Sequence, residues 1–448
     1  MTAARGESAA GEDWSTRKLH FVGIGGAGMS GLALLARALG ASVTGSDRAE
    51  SSYMARLRSV GIEPVIGHAE TNVAEGAEVV YSTAIGPENP ERRAAGGREL
   101  HRSELLAQIA AAKRCLAVTG THGKTTTAAM IVQILRAGGL DPAYVVGGEL
   151  RDTGANAGWG SGEWIVVEAD ESDRSLLALS PEIAVLTNAE LDHHATYSSR
   201  LDLEETLREF MSRASLRAVV WDRPALRALC PPDAVVYDAI DVVVSTHGSR
   251  FGWRGNDVAL SVPGVHNAIN AAGALTAAAL AGADPSRAAA ALAGFRGARR
   301  RFELLGTTEK NIPIYDDYAH HPTEVAATVA AARTLAPARL LAVFQPHLYS
   351  RTRALAGAFG RALAGADVIV VLPVYPARER AEDFPGVDGH LVAAAAADAG
   401  SGGTVAWMPS FDDARSFLLG TLRPGDLCLC MGAGNIDALA RSLVAGRG

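Results

Sequence analysis

Gly120, Gly123, Lys124 and Thr125, in the stretch TGTHGKTTT, are residue types that together hold a triphosphate. Backbone N–H groups at a glycine-rich turn form a nest for anionic oxygens, a lysine places its charge by the β- and γ-phosphates, and a threonine hydroxyl can bind Mg²⁺. Val118 stands where the G-x-x-x-x-G-K-[ST] rule has its first glycine, and the local physics is unchanged. Magnesium needs further ligands, and VVEADESD offers Glu168, Asp170, Glu171 and Asp173 at the end of an apolar run. TNAELDHHATY adds Asn188, Asp192, His193 and His194. A second glycine set, Gly23, Gly25 and Gly28, fits the G-x-G-x-x-G spacing, with Asp47 19 residues beyond the last glycine. These glycines report only a tight strand-to-helix turn that lets a diphosphate approach a helix N-terminus. A nicotinamide dinucleotide and any other nucleotide diphosphate remain open.

Alternating strands and helices must position these groups. LHFVGIG, ASVTGSD and AEVVYSTAI read as strands, with helices over MSGLALLARALG and MARLRSVG between them, which is βαβαβ and a parallel sheet. The polar, Gly-rich GPENPERRAAGGREL then leads into a helix over SELLAQIAAAK. A second α/β unit starts with CLAVTG, continues through WIVVEAD, IAVLTN, AVVWD and AVVYD, and ends in the Ala-rich helices NAINAAGALTAAALAG and SRAAAALAGF. Beyond the basic, turn-forming GFRGARRRFE comes a third pattern: PIYDDYA, a helix over TEVAATVAAARTLA, RLLAVFQ, DVIVVLPVY and DLCLCMGAG. The expected fold is α/β in three domains, 1–112, 113–298 and 299–448.

A chain of 448 residues, 48% of them hydrophobic, is too long for one core, and a net charge of −7 provides no overall basic field for nucleic acid or anionic membrane. The four cysteines have neither disulfide-framework nor zinc spacing. Cys428 and Cys430 share one face of a strand, so apolar packing is expected of them. The first residues, MTAARGESAAGEDWSTRK, lack an apolar signal region, and there is no uninterrupted apolar run of about 20 residues. A cytoplasmic protein without membrane insertion is expected.

TGTHGKTTT, EADESD, the N-x-x-x-D-H run from Asn188 to His193, GVHNAINAAGA, RRFE and YDDYAHHPTEV occur in the order found in the Mur ligases, which this chain resembles over most of its length. Those are ATP-dependent amide-forming enzymes of peptidoglycan precursor synthesis. GIGGAGMSGLA and FQPHLYSRT are most similar to the member that joins L-alanine to the lactyl carboxylate of UDP-N-acetylmuramate. A sister ligase that adds another amino acid or a preformed peptide is the alternative. The resemblance implies a Rossmann-like UDP-sugar domain, a central P-loop ATPase-like domain and a C-terminal Rossmann-like amino-acid domain. It also takes the first glycine set away from nicotinamide and gives it to a UDP-sugar.

The residue roles that follow are those the resemblance implies. Gly25, Gly26, Ala27, Gly28, Met29, Asp47 and Ser82 would bind the UDP-sugar. Gly120, Thr121, His122, Gly123, Lys124, Thr125 and Thr126 would cradle the ATP phosphates, with His266, Asn267 and Asn270 at the adenine. Arg301 would reach the phosphates and Asp317 would face the nucleotide. Thr125, Glu168 and His193 would meet Mg²⁺, with His193 and His194 both open as the ligand. Tyr318, His320, His347 and Arg351 would surround the alanine, with either histidine helping its amine lose a proton. Three positions depart from the pattern: Leu348 where several relatives have arginine, Arg200 where sister ligases have a lysine to carbamylate, and Asn435 where an acid is common.

Overall fold

The computed structural model describes residues 13–192, 196–400 and 402–445. They form two compact units, one from Met1–Glu190, Ser199–Asp238 and Asn270–Leu292, the other from Leu191–Ser198, Ala239–Ile269 and Ala293–Gly448. The chain divides inside the helix Val265–Leu280, between Ile269 and Asn270.

In the first unit, β1 (Lys18–Val22), β2 (Ser42–Asp47), β3 (Val65–Ile66), β4 (Glu78–Tyr81) and β5 (Glu99–His101) make a parallel sheet in the order β3-β2-β1-β4-β5. β1 is the first strand laid down and has β2 on one side and β4 on the other. The crevice beyond its carboxyl end is therefore a topological switch point, where open α/β sheets bind ligands. The stretch read as polar and Gly-rich contains the helix Pro90–Ala94 and the edge strand β5.

The second sheet of this unit contains β6 (Arg114–Thr119), β7 (Ala143–Leu150), β8 (Ala155–Gly158), β9 (Trp164–Glu168), β10 (Ile183–Leu186), β11 (Arg217–Trp221) and β12 (Val235–Tyr237), in the order β12-β11-β10-β6-β9-β7-β8. Only the edge strand β8 runs antiparallel to its neighbour. β6, β9 and β10 are apolar and almost wholly buried, as strands covered on both faces must be. The helix Lys124–Ala137 buries Met130, Ile131, Val132, Ile134 and Leu135, at about 2 kcal/mol for each large side chain. The two sheets share packing, which is why one unit holds both. The helix Ala27–Leu39 turns Gly31 toward Val145, Asn156 and Ala157 of the β7–β8 hairpin, and a Cβ there would stand 3.1 Å from Val145.

The second unit contains an antiparallel meander, β13 (Ile240–Ser245), β14 (Gly248–Trp253) and β15 (Asn256–Leu260). It also contains a six-stranded sheet of β16 (Glu303–Thr307), β17 (Pro313–Asp317), β18 (Arg339–Phe344), β19 (Val368–Val371), β20 (Thr404–Trp407) and β21 (Asp426–Met431), in the order β16-β17-β21-β18-β19-β20. β16 alone is antiparallel. Cys428 and Cys430 lie in the core on one face of β21, as expected, with Leu341, Val343 and Val370. No helix among the described residues is long and apolar enough to cross a membrane.

Candidate active site

β6 is the middle of three neighbouring parallel strands, β10-β6-β9, and their carboxyl ends deliver the phosphate loop, Asn188 and Glu168 to one place. The loop leaves β6 at Gly120 (φ +121°) and enters the helix at Gly123 (φ +79°). A Cβ at Gly120 would stand 2.3 Å from Thr187 Oγ1, and one at Gly123 would stand 2.6 Å from Asn270 Oδ1, so both positions need glycine for space as well as for backbone angle. Asn188 clamps the turn, accepting from His122 N at 2.9 Å and donating Nδ2 to His122 O at 2.9 Å. Thr121 Oγ1 donates to Glu190 O at 2.8 Å.

Lys124 Nζ donates to Gly120 O at 2.7 Å and pairs with Glu171 at 2.8 Å. Burial pulls its pKa down, but Glu171, Asp170 and Glu168 outweigh burial, and it stands above the usual lysine value. The ammonium is thus a permanent cation at the helix start. Thr125 Oγ1 donates to Glu168 Oε1 at 2.9 Å, while Gly147 N–H donates to Oε2 at 2.6 Å. A hydroxyl and a carboxylate held together at a phosphate loop are hard oxygen donors of the kind Mg²⁺ takes, so the residues fit that ion. Thr126 follows in the first helical turn, and Asn270 meets the loop at Gly123.

At the switch point, the Gly25 N–H donates to Asp47 Oδ2 at 2.9 Å and the Gly25 carbonyl accepts from Ser51 Oγ at 2.8 Å. The helix Ala27–Leu39 starts at Gly26 without a side-chain cap, which leaves its first N–H groups for an outside acceptor. Gly28 is exposed, Met29 is buried beneath the turn, and Ser82 follows β4.

The second unit gathers the other expected residues at the carboxyl ends of β17 and β18. Asp317 Oδ2 accepts from Phe302 N at 2.7 Å and Oδ1 from Ala319 N at 2.7 Å. Burial raises its pKa to about 6 against the opposing pull of Arg301. The Arg301 guanidinium lies 5.1 Å from the centre of the Tyr318 ring. Arg351 is almost wholly buried and forms a two-pronged pair with Asp192, at 3.0 and 2.9 Å. Its Nη1 donates to His347 Nδ1 at 3.0 Å. A guanidinium only donates, so His347 Nδ1 accepts and its proton sits on Nε2. His320 is the reverse: its Nδ1 lies 2.9 Å from the Tyr318 carbonyl, which only accepts, so Nδ1 carries the proton and Nε2 is the acceptor. Burial lowers His320 to about 4 against the opposing pull of Glu324, and burial, with His320 and Arg351 beside it, lowers His347 to about 3, so both rings are neutral at pH 7. The rings are 5.8 Å apart. His266 and Asn267 also belong to this unit, where Asn267 Nδ2 donates to Pro263 O at 2.7 Å.

Lys124, Thr125, Glu168, Asn270 and the loop are thus brought together in one unit, and Arg301, Asp317, Tyr318, His320, His347 and Arg351 in the other. His193 and His194 lie outside the described residues. Sequence reasoning assigned no role to Glu171 as the partner of Lys124, to Asp192 as the clamp on Arg351, or to Glu324, 3.3 Å from His320. All three stood inside stretches already noticed, Glu324 in YDDYAHHPTEV, where it also closes a cap with His321, but nothing local shows which distant group each one meets.

Three stretches match domains of one family: residues 18–114 the Mur ligase family catalytic domain, 118–278 the Mur ligase middle domain, and 300–434 the Mur ligase glutamate ligase domain. The UDP-N-acetylmuramate–L-alanine ligase of Acidithiobacillus ferrooxidans is 42% identical over 95% of this chain and 96% of its own. The chain belongs to the Mur ligase family. As a Mur ligase it has the family's three-domain α/β architecture. It is similar to the crystal structure of UDP-N-acetylmuramate–alanine ligase MurC from Thermotoga maritima, with a TM-score of 0.81 and 29% identity over 96% of this chain and 98% of that one. A murein peptide ligase from Psychrobacter arcticus shares the fold, with a TM-score of 0.70 and 24% identity over 96% and 98% of the two chains.

Proposed function

We propose that this Mur ligase joins L-alanine to the lactyl carboxylate of UDP-N-acetylmuramate, converting ATP to ADP and phosphate, in the cytoplasmic synthesis of peptidoglycan precursors. Full-length similarity to ligases of that name, at about 40% identity, supports the reading. The observation that carries it is Lys124, a permanent cation at the head of the helix and beside the Thr125–Glu168 pair. The division into a UDP-sugar domain (1–112), an ATP domain (113–298) and an amino-acid domain (299–448) belongs to the same reading. The three family matches, with breaks near 114–118 and 278–300, support it.

A carboxylate does not condense with an amine in water until one of its oxygens becomes a good leaving group. The lactyl carboxylate attacks the γ-phosphorus of ATP, ADP leaves, and an acyl phosphate forms. Lys124 and Arg301 stabilise the charge spreading over the phosphoryl oxygens. Thr125 and Glu168, with His193 the further ligand that the resemblance implies, would hold Mg²⁺, which would neutralise more of the phosphate charge. The alanine amine, arriving deprotonated, then attacks the acyl carbon, and the tetrahedral intermediate expels phosphate, which carries off the proton that the nitrogen sheds. His320 Nε2 accepts a hydrogen bond from the amine. His347 Nε2–H donates to the amino acid's carboxylate, and Arg351 fixes its tautomer.

Isotope transfer tests the scheme directly. With ¹⁸O in the lactyl carboxylate, one labelled oxygen should appear in the phosphate released; unlabelled phosphate would overturn it. Phosphate release with L-alanine, glycine, L-serine, glutamate and a tripeptide assayed separately should be fastest with L-alanine, and a preference for the tripeptide would favour a sister ligase.

A further inference from the structure

Arg102 has no part in the reaction set out above. It opens the helix Arg102–Ala111, whose start is fixed by a reciprocal cap in which His101 N–H donates to Glu104 Oε2 at 2.8 Å. Its half-buried guanidinium faces two ways. Nη2 donates to Asp173 Oδ2 at 2.9 Å and Asp170 Oδ2 at 3.3 Å on the acidic turn after β9. Nη1 faces the glycine loop, where a Cβ at Gly28 would stand 3.4 Å away, and it donates to no protein acceptor among the described residues. Gly28 lies in the first turn of the helix Ala27–Leu39, whose N-cap Gly26 supplies no side-chain cap.

Signs alternate from this point. Arg102 pairs with Asp170 and Asp173. Without Arg102, a diphosphate on the glycine loop would face two carboxylates with no cation between.

We propose that Arg102 couples the two phosphate sites: Nη1 donates to a phosphate oxygen of the UDP-sugar on the glycine loop, while Nη2 keeps the Asp170–Asp173 turn in place beside Lys124 for ATP. The planar guanidinium suits this because one edge can hold a phosphate while the other holds carboxylates in fixed directions, which a lysine ammonium cannot match. With the turn already ordered by the first ligand, the second loses less freedom on binding, so the two favour each other.

The inference rests on reading the glycine loop as the UDP end of the site. Calorimetric titration of UDP and of a non-hydrolysable ATP analogue, each alone and with the other saturating, tests both. In the wild type each should tighten the other by about fivefold or more. Arg102→Met should weaken UDP by about tenfold and bring the mutual effect to one. Arg102→Lys, which keeps the charge and guards against a folding failure, should recover UDP affinity without recovering the mutual effect. A wild-type protein that does not bind UDP would overturn the glycine-loop reading. A wild type that binds UDP with no effect on the analogue, or either variant retaining the full effect, would overturn the role of Arg102 alone.

Discussion

In the proposed reaction, Lys124 is the residue on which phosphoryl transfer depends most directly. Lys124→Ala should lower phosphate release by about 100-fold or more while UDP affinity stays within about twofold, because the glycine loop at Gly23–Gly28 is built from other elements. Retained turnover would remove Lys124 from the mechanism. Glu168→Gln keeps the shape and one acceptor oxygen but removes the charge, so the Mg²⁺ concentration for half-maximal activity should rise by about tenfold, read from a magnesium titration of turnover. The histidines make a pH prediction with a definite sign. His320 and His347 have pKa values lowered to about 4 and about 3, so the neutral forms exist above those values and are lost only as pH falls through them. His320→Asn should therefore lower kcat/KM without changing its shape between about pH 6 and pH 8. A limb near pH 6.5 that disappears in this variant would show the ring titrating where the buried geometry forbids it.

The elements are positioned partly by groups with no part in chemistry. Glu91, on the short helix Pro90–Ala94, is fully buried and accepts from Ser46 Oγ at 2.5 Å and Asn72 Nδ2 at 2.6 Å, with His68 Nδ1 at 3.1 Å and His20 Nε2 at 3.6 Å. It ties the end of β2, next to Asp47, to the loop after β3. Burial alone would raise its pKa, but His20, Ser46 and Asn72 outweigh burial and lower it to about 2. The ionised form therefore contributes about 3 kcal/mol that is fully present above the unfolded value near 4.5 and lost as pH falls through about 2. Glu91→Gln should be less stable in urea at pH 7, and the gap to wild type should narrow by pH 3; a gap independent of pH would contradict the ionised network. At this scale the strands carrying motifs were legible, because a loop between an apolar strand and an amphipathic helix announces itself locally. The β13–β15 meander was not read, although Arg254 and Gly255, both with positive φ, form the two-residue turn a hairpin requires. β5, β16 and β20 are short edge strands, where half-exposed sequence carries little periodicity.

Across the whole molecule, the expected ATP ligands fall in two compact units, with Gly120–Thr126 and Asn270 in one and His266, Asn267, Arg301 and Asp317 in the other. Hydrogen exchange with a non-hydrolysable ATP analogue should accordingly slow amides in both units, whereas UDP should slow amides of the first unit alone, at Gly25–Met29 and on the Asp170–Asp173 turn. An analogue footprint confined to Gly120–Thr126 would remove Arg301 and Asp317 from the nucleotide site. The α/β class, the glycine-rich turn after β6 and the acidic turn after β9 were determined by sequence alone, since each depends on residues within one strand–loop–helix unit. Pairings across long separations were decided only by tertiary structure. Arg351 meets Asp192 159 residues away, and Arg102 meets Asp173 71 residues away. Which loops stack at the carboxyl edge of a sheet depends on strand order, here β10-β6-β9 and β17-β21-β18, and strand order follows from which apolar faces can be buried together. The tautomers of His320 and His347 were likewise out of reach of sequence, because a ring's proton is assigned by the carbonyl or guanidinium that folding brings to it.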